Sequence, residues 1–216
     1  MKFDAVLFDC DGVLVDSERL TNGVLRDMLE EQGWRLSLEE CMQIFVGKAV
    51  MDERVRIERH TGQTLPPDWL LAFRARRNAV LETGIAAVPN IHPTVHHLHR
   101  LSLGRIACAS GADRFKVELM LAKVGLLPYF EGRVFSGHEM PRSKPFPDVY
   151  LAAASALGVP AQRCAVVEDT LTGLAAGVAA GAAVFAYVPQ GSAEPFLQAG
   201  AAQVFSDMAE LPALLA

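Results

Sequence analysis

The chain has 216 residues, of which 51% are hydrophobic and 21% charged, with a net charge of -5 and a pI near 5.7. This composition is typical of a globular protein and argues against a disordered chain or a disulfide scaffold. The acidic balance offers no basic surface for a phosphate backbone, so we expect no nucleic-acid partner. The length permits one large domain or a medium domain that carries an insertion.

Cysteine usage and hydropathy bear on the compartment. The cysteines are Cys10, Cys41, Cys108 and Cys164. They are scattered without a CxxC pair, which favours a reducing environment and predicts a cytoplasmic protein. The first apolar run contains Asp4 and Asp9 and lacks a cleavage-site pattern, so we expect no signal peptide. Residues 170–193 are uncharged and long enough to span a bilayer, but their Ala, Gly and Pro189 argue against membrane insertion.

Short apolar runs in chain order predict strands of a buried parallel sheet. These runs are residues 4–9, 105–109, 164–167 and 182–188. Helical patterns follow the later runs at residues 113–124, 148–157 and 171–180, with Gly125, Gly158 and Gly181 at C-terminal cap positions. Strands that alternate with helices indicate βαβ units and an α/β fold.

Residues 17–84 interrupt this alternation. One helical pattern follows another there, separated by Gly33, Gly47, Gly62 and Pro66-Pro67, with no convincing strand pattern. We interpret this interval as an inserted helical domain.

The first strand ends in two carboxylates. Apolar residues 5–8 precede Asp9-Cys10-Asp11-Gly12, and open α/β sheets bind ligands at this end of their strands. Because side chains alternate in an extended chain, Asp9 and Asp11 share one side and Cys10 points into the core. Close carboxylates repel unless a proton or a divalent cation lies between them, and magnesium suits oxygen ligands. A turn or helix cap is the alternative interpretation.

A second acidic pair, Glu168-Asp169, ends the run 164–167 and precedes a helical pattern. Two strands therefore present carboxylates at equivalent ends, which strengthens the metal hypothesis. Asp169 could also cap the helix that follows.

Two further segments offer groups for an anion. Ser110-Gly111 lies between a strand and a helix and provides a hydroxyl and backbone N–H groups, although Ser is also a frequent N-cap. Lys144 lies in a Pro-rich turn before a helix, where its ammonium could neutralise phosphate. A solvated surface lysine is the alternative there.

These four segments, in this order and spacing, resemble the motifs of the haloacid dehalogenase-like superfamily of phosphohydrolases along the whole chain. Residues 9–18, 110–111, 144–148 and 167–170 match its successive motifs. The insertion resembles the cap of the subgroup that includes β-phosphoglucomutase and small sugar-phosphate phosphatases. The resemblance implies a Rossmann-like three-layer catalytic core with a parallel sheet at residues 1–16 and 85–216, plus an all-helical cap domain at residues 17–84.

The resemblance also implies a magnesium-dependent phosphatase for a small phosphorylated metabolite, either a sugar phosphate or a phosphorylated sugar acid. Asp9 would attack phosphorus and form an aspartyl phosphate, while Asp11 would protonate the leaving alcohol and then activate water. Asp9, the backbone carbonyl of Asp11, and Asp169 would hold magnesium, with Glu168 assisting. The residues implied in phosphate or substrate binding are Gly12, Ser110, Gly111, Lys144 and Lys48.

Three other functions share parts of this pattern. Asp11 argues against the dehalogenases of the superfamily, which do not keep the second aspartate. A sugar-phosphate mutase would share the core residues, but the family's mutases carry a cap histidine where this chain has Thr21. A non-catalytic phosphoacceptor receiver domain places its acidic pair first and has no helical insertion.

Substrate choice is expected in the cap, because a cap closes over the site and tests the leaving group. The resemblance implies that the Gly-containing loop 45–48 reaches the active site, where Lys48 could bind a hydroxyl or carboxylate of the substrate, although a surface lysine fits equally well. A histidine group with spacings that suit either zinc or a solvated helix face comprises His92, His96, His97 and His99. We expect a monomer or a weak homo-oligomer.

Overall fold

The computed structural model describes residues 2–216, which form two compact units. The first comprises the chain up to Val15 together with Ala87–Ala216, and the second comprises Asp16–Ala86. The second unit begins one residue before the predicted insertion at 17–84 and ends two residues after it. Its role as a cap stays a prediction.

The strands are short and most follow the apolar runs of the sequence. They are β1 Ala5–Phe8, β2 Val15–Asp16, β3 Ala86–Ala87, β4 Ile106–Ser110, β5 Val134–Ser136, β6 Cys164–Glu168, β7 Ala183–Tyr187 and β8 Gln203–Phe205. The helices are α1 Glu18–Glu31, α2 Leu38–Phe45, α3 Arg54–Thr61, α4 Trp69–Gly84, α5 Ile91–Leu101, α6 Arg114–Lys123, α7 Leu127–Phe130, α8 Asp148–Ala156, α9 Leu171–Ala179, α10 Glu194–Gln198 and α11 Leu211–Leu214.

The first unit is built on a parallel sheet of six strands in the order β5-β4-β1-β6-β7-β8. From β1 the chain first builds β4 and β5 on one side and then crosses to build β6, β7 and β8 on the other. The direction in which successive strands are added to the sheet therefore reverses at β1. In open α/β sheets, ligands bind in the crevice outside the carboxyl ends of the strands at such a reversal point.

Helices cover both faces of this sheet. Ala5 and Leu7 of β1 belong to a buried cluster with Val149 of α8 and Leu174 of α9. Phe8 points to the opposite face, where its ring meets that of Phe130 in α7 edge-on at 6.0 Å. A sheet buried on both faces needs apolar side chains on both, which explains the continuous run of β1. The predicted three-layer Rossmann-like α/β fold is confirmed.

The second unit is helical and has its own apolar core. Side chains from all four of its helices, together with residues of the connecting loops, form one buried cluster. Its buried members are Val24, Leu25, Met28, Leu29, Trp34, Cys41, Phe45, Ile57, Leu65, Trp69 and Phe73. Helix α2 begins with a reciprocal capping box between Ser37 and Glu40, which satisfies two N-terminal N–H groups.

Candidate active site

Asp9 is held at the carboxyl end of the central strand. It directly follows β1, and its backbone N–H donates to the carbonyl of Val167 in β6 at 3.0 Å. The parallel register pairs Phe8 with Val167, so the residues that follow each of them emerge side by side. Those residues are Asp9 and Glu168, the members of the two acidic pairs that the sequence placed at equivalent strand ends.

Lys144 lies between these two carboxylates. Its Nζ donates to Asp9 Oδ1 and to Glu168 Oε1, both at 2.6 Å, and its side chain is only 8% exposed. Burial by itself lowers the pKa of Lys144, but the Asp9 and Glu168 carboxylates outweigh burial and raise that pKa well above its usual range. Lys144 is therefore a buried cation in direct contact with both strand ends, which contradicts the solvated-surface alternative.

The carboxylates form the acidic cluster that the sequence suggested. One oxygen each from Asp9, Glu168 and Asp169 lies within 4.8 Å of the other two. Burial is the main cause that raises the pKa of Asp9 to about 7; the neighbouring Glu168 and Asp11 carboxylates act in the same direction, and Lys144 opposes them. A group of oxygen donors whose charges disfavour one another is a suitable site for a hard divalent cation.

Glu168 is the most extensively bonded member of this cluster. Its side chain is fully buried, and Oε1 accepts from the Tyr150 hydroxyl at 2.6 Å in addition to Lys144. Oε2 accepts from the backbone N–H of Asp169 at 3.2 Å and from the Thr170 hydroxyl at 3.2 Å. Because donors already engage both oxygens, Glu168 is better suited to orient its neighbours than to act as a primary metal ligand.

Gly12 and Asp169 approach each other closely. Gly12 has φ +78°, and a Cβ on it would lie 1.9 Å from Asp169 Oδ2. No side chain fits there without displacing the carboxylate, so glycine at this position keeps Asp169 within the acidic cluster. The N-cap of α9 is Thr170, whose side chain accepts from the Gly173 N–H, so Asp169 does not fill the capping role considered above.

Asp11 follows the first strand in a tight turn and forms an ion pair with Lys116. The Lys116 Nζ donates to Asp11 Oδ1, and the two side chains are only 8% and 13% exposed. Lys116 lies in the first turn of α6, a position that the sequence interpretation did not single out. The candidate proton-transfer residue therefore has a buried cationic neighbour.

Ser110 and Gly111 lie at the end of β4, the strand next to β1. Ser110 is 1% exposed, and its Oγ accepts from the Ala112 N–H at 3.1 Å. The N-cap of α6 is Asp113, so Ser110 is not the cap of that helix. A Cβ added to Gly111 would meet only Ser143 Oγ at 3.9 Å, so the space on that side of its Cα is open.

Lys48 belongs to the helical unit, where its Nζ pairs with Glu53 Oε1 at 3.0 Å. Glu53 Oε2 also pairs with Arg56 Nε at 3.1 Å, so the loop lysine has a fixed acidic neighbour. The predicted substrate contact of Lys48 stays a prediction.

The histidine group of α5 does not form a metal site. His92, His96 and His97 are exposed on the helix, and within residues 2–216 the acidic cluster is the one group of side chains with metal-ligand geometry. His96 instead meets Tyr129, whose hydroxyl lies 3.2 Å from its Nδ1.

Three residues of the site escaped the sequence interpretation. Lys116 and Tyr150 act from helices distant in sequence from their partners, and Gly173 of α9 packs so tightly that a Cβ would lie 1.8 Å from Glu168 Oε1. One signal was available for Lys116, because it shares the buried face of α6 with Val117 and Met120. A charged residue in an otherwise apolar helix stripe indicates a buried partner.

Comparison with known proteins decides the family. Residues 3–181 match the haloacid dehalogenase-like hydrolases. The chain belongs to this family. The predicted family and the predicted enzyme class, a phosphatase of the haloacid dehalogenase-like type, are both confirmed.

Similar proteins extend over nearly the same length. The 6-phosphogluconate phosphatase of Escherichia coli (strain K12) is 27% identical over 214 residues, covering 99% of this chain and 95% of that protein. Hexitol phosphatase A of the same organism is 31% identical, covering 86% and 83%. A HAD family hydrolase from Deinococcus radiodurans R1, solved with bound phosphate and sodium, is 35% identical with a TM-score of 0.79, covering 99% and 95%.

The helices of the described residues do not have the features of a membrane-spanning segment. Across the described part of the chain, none has both the length and the apolar character that crossing a bilayer requires. The uncharged stretch 170–193 folds instead as α9, β7 and the start of the loop that follows.

Proposed function

We propose that this enzyme is a magnesium-dependent phosphatase that hydrolyses a small phosphorylated metabolite, a sugar phosphate or a phosphorylated sugar acid, through an aspartyl phosphate on Asp9. The observation that carries the proposal is the buried contact of Lys144 with Asp9 and Glu168, both at 2.6 Å, beside Asp169. A cation fixed against a carboxylate in a cluster of acids suits a site that must accept a dianionic phosphate.

Asp9 is proposed as the nucleophile. A carboxylate attacks phosphorus in its ionised form and needs no base, only relief from repulsion by the phosphate oxygens. Lys144 provides part of that relief at a fixed distance. In the first step the Asp9 oxygen bonds to phosphorus and the ester P–O bond breaks. A proton from Asp11 goes to the departing alcohol.

The second step regenerates the enzyme. Asp11 accepts a proton from water, the water oxygen bonds to phosphorus, and the bond between phosphorus and Asp9 breaks. Inorganic phosphate leaves and Asp9 is again a carboxylate. One residue thus acts as acid and then as base, which requires the same side chain to remain near the reacting oxygen through both steps.

The residues fit a magnesium ion by the chemistry of their donors, all of which are oxygens. Asp9, Asp169 and the backbone carbonyl of Asp11 would hold it, with Glu168 assisting. When bound, magnesium supplies positive charge that offsets the repulsion between the carboxylates and the phosphate. The sharing of Asp9 between metal binding and nucleophilic attack supports a dependence of activity on the metal.

Phosphate binding is assigned to Gly12, Ser110, Gly111 and Lys144. All four lie on loops or strand ends of the same unit as Asp9. Ser110 and Gly111 add a hydroxyl and backbone amides beside the central strand, and Lys144 adds the buried charge. Positioning and charge stabilisation of this kind dominate phosphoryl transfer.

The substrate class rests on the relatives named above, which are a 6-phosphogluconate phosphatase and a hexitol phosphatase. Lys48 is proposed to bind a hydroxyl or carboxylate of the leaving group. Hydrolysis is preferred over phosphate transfer between sugar positions, because Thr21 occupies the place of the histidine carried by the mutases of the family.

The compartment and partners are also proposed. The cysteines, all buried and none in a disulfide within residues 2–216, support a reducing cytoplasm. The expected partner is a small metabolite, with no nucleic acid and no membrane.

The test is phosphate release from a panel of phosphorylated sugars and sugar acids, with magnesium or with chelator, for wild type and Asp9→Asn. We expect release that requires both magnesium and Asp9. Wild-type release that persists in chelator would overturn the metal requirement. Absence of release from every compound, with phosphate still accepted by Asp9, would favour the mutase.

A further inference from the structure

We infer that Lys116 is a positioning residue, which fixes the Asp11 carboxylate for proton exchange with the leaving oxygen and with water. The inference rests on the proposed phosphatase function. It assigns a role to a side chain on α6 that lies outside the four sequence motifs described above.

The contact itself is buried and direct. The Lys116 Nζ donates to Asp11 Oδ1, and Lys116 as a whole residue is 6% exposed. A buried ammonium is destabilising unless a charged partner and hydrogen bonds compensate for lost hydration. A lysine among the buried residues of α6 therefore calls for an explanation beyond core packing.

Hydrogen bonds hold the backbone in place at both Asp11 and Lys116. On one side, the N–H of Gly12 donates to the Val15 carbonyl at 2.8 Å, and that of Leu14 donates to the Cys10 carbonyl at 3.0 Å. These bonds close the turn that contains Asp11. The contact with Lys116 acts on the side-chain torsions of Asp11, which these backbone bonds do not set.

On the other side, Lys116 lies in the first turn of α6. Its backbone N–H donates to the side chain of Asp113, the N-cap of that helix, at 3.0 Å. The capped turn fixes the Cα of Lys116, so the long side chain reaches Asp11 from a rigid base. A carboxylate held in this way keeps its orientation through both half-reactions.

Lys116 gains and loses no proton in this scheme. In the first half-reaction the proton moves from Asp11 to the alcohol oxygen, and in the second it moves from water to Asp11. The lysine limits rotation of the carboxylate. Replacing Lys116 should therefore lower kcat/KM most for substrates whose leaving group needs that proton.

Leaving groups of different acidity separate this role from a structural one. An alkoxide from a sugar is a poor leaving group and needs a proton, whereas p-nitrophenolate departs as an anion. The ratio kcat/KM reports only steps up to the first irreversible one, here departure of the leaving group. We expect Lys116→Met to lower kcat/KM about 100-fold for the sugar phosphate that wild type hydrolyses fastest, and about threefold or less for p-nitrophenyl phosphate.

A double-mutant cycle completes the experiment. In an Asp11→Asn background, Lys116→Met should cause no further loss of kcat/KM for the sugar phosphate, because the lysine acts through the missing carboxylate. Lys116→Arg, which keeps the charge, should recover part of the loss. Lys123 lies on the exposed last turn of the same helix. Lys123→Met is the matched control and should leave kcat/KM unchanged for both substrates.

The outcomes are separable. Equal losses for both substrates, or a full further loss in the Asp11→Asn background, would overturn the positioning role. If Lys116→Met does not fold, Lys116→Gln carries the same comparison. Failure of wild type to release phosphate from either substrate would instead refute the proposed function, a result that no Lys116 variant can produce.

Discussion

The buried ion pairs at the strand ends of the sheet unit contrast with exposed ion pairs on the helices of the second unit. In the sheet unit, Lys144 and Glu168 meet with side chains only 8% and 1% exposed. In the helical unit, the pairs of Arg54 with Glu58 and of Arg76 with Glu31 join side chains that are 27% to 58% exposed.

Exposed and buried ion pairs contribute differently to stability and to function. Exposed pairs contribute little, because water and salt screen them and ordering long side chains opposes them. Buried charges lose far more hydration than their pairing returns, so a fold that keeps them gains little stability. Such clusters with perturbed pKa values concentrate at functional sites. The buried charges at the carboxyl end of β1 are therefore expected to matter for turnover, and the exposed charges of the insertion are not.

The sharpest way to break this comparison is to remove the buried cation. Lys144→Met leaves the Asp9 and Glu168 carboxylates without the positive charge between them. We expect kcat to fall by about 100- to 1,000-fold, and the free energy of unfolding to fall by about 3 kcal/mol. Steady-state kinetics and urea denaturation measure the two effects, with Lys123→Met as the surface control. Unchanged kcat would contradict the role of Lys144.

A backbone change tests the packing that holds Asp169. Gly12→Ala places a methyl group where Asp169 Oδ2 lies and should lower kcat about 100-fold through misplacement. Gly158→Ala is the matched control, because Gly158 has φ +67° with open space around its Cβ position. Both variants bear the strain of a left-handed alanine, and equal activity in the two would refute the packing argument.

The raised pKa of Asp9 predicts a pH-dependent metal affinity. With its pKa at about 7 in the metal-free protein, Asp9 is protonated below that pH, so magnesium must displace the proton. The affinity should therefore weaken as pH falls, by up to about tenfold for each pH unit below 7. Isothermal titration calorimetry in two buffers of different ionisation enthalpy measures both the affinity and the released proton. A flat profile from pH 6 to 8 would contradict the prediction, and Asp9→Asn should flatten it.

Lys48 is an exception among the charged residues of the helical unit, because we propose that it contacts the substrate. Lys48→Ala should raise KM for the preferred substrate about tenfold with kcat little changed, as expected for loss of one ionic contact. Arg56→Ala is the control, because Arg56 pairs with the same Glu53. If Lys48→Ala leaves kcat/KM unchanged for every substrate, the proposed contact is wrong.

The smallest effect is expected at an exposed pair. Arg76→Ala removes the 2.6 Å contact with Glu31 and should change the free energy of unfolding by about 1 kcal/mol or less. Activity should stay at the wild-type level. A large loss of kcat in Arg76→Ala would contradict the expectation that exposed ion pairs of the helical unit do not affect turnover.

Much of the fold could be predicted because its signals are local. Strands β1, β4, β6 and β7 are apolar runs of four or five residues, and the glycines after α6, α8 and α9 have the left-handed φ of helix ends. Strands β5 and β8 were missed, since three residues at the edges of the sheet show no periodicity. The strand order also escaped prediction, because the crossing from β5 to β6 depends on tertiary packing.

The acidic cluster could be anticipated for a similar reason, since each carboxylate directly follows a strand that the pattern reveals. The partners of Lys116 and Tyr150 could not be predicted, because they lie 105 and 18 residues away and only the packing of α6 and α8 brings them together. The tight approach of Gly173 to Glu168 likewise has no sequence signal of its own.

The central claim is that Asp9 accepts the phosphoryl group. Its most direct test is to mix the enzyme with magnesium and a hydrolysed sugar phosphate, stop the reaction in acid within milliseconds, and locate added phosphate by peptide mass spectrometry. We predict phosphate on the peptide that contains Asp9, and none on that peptide in Asp9→Asn. Rapid turnover with no phosphate on Asp9, or with phosphate on another residue, would contradict the account.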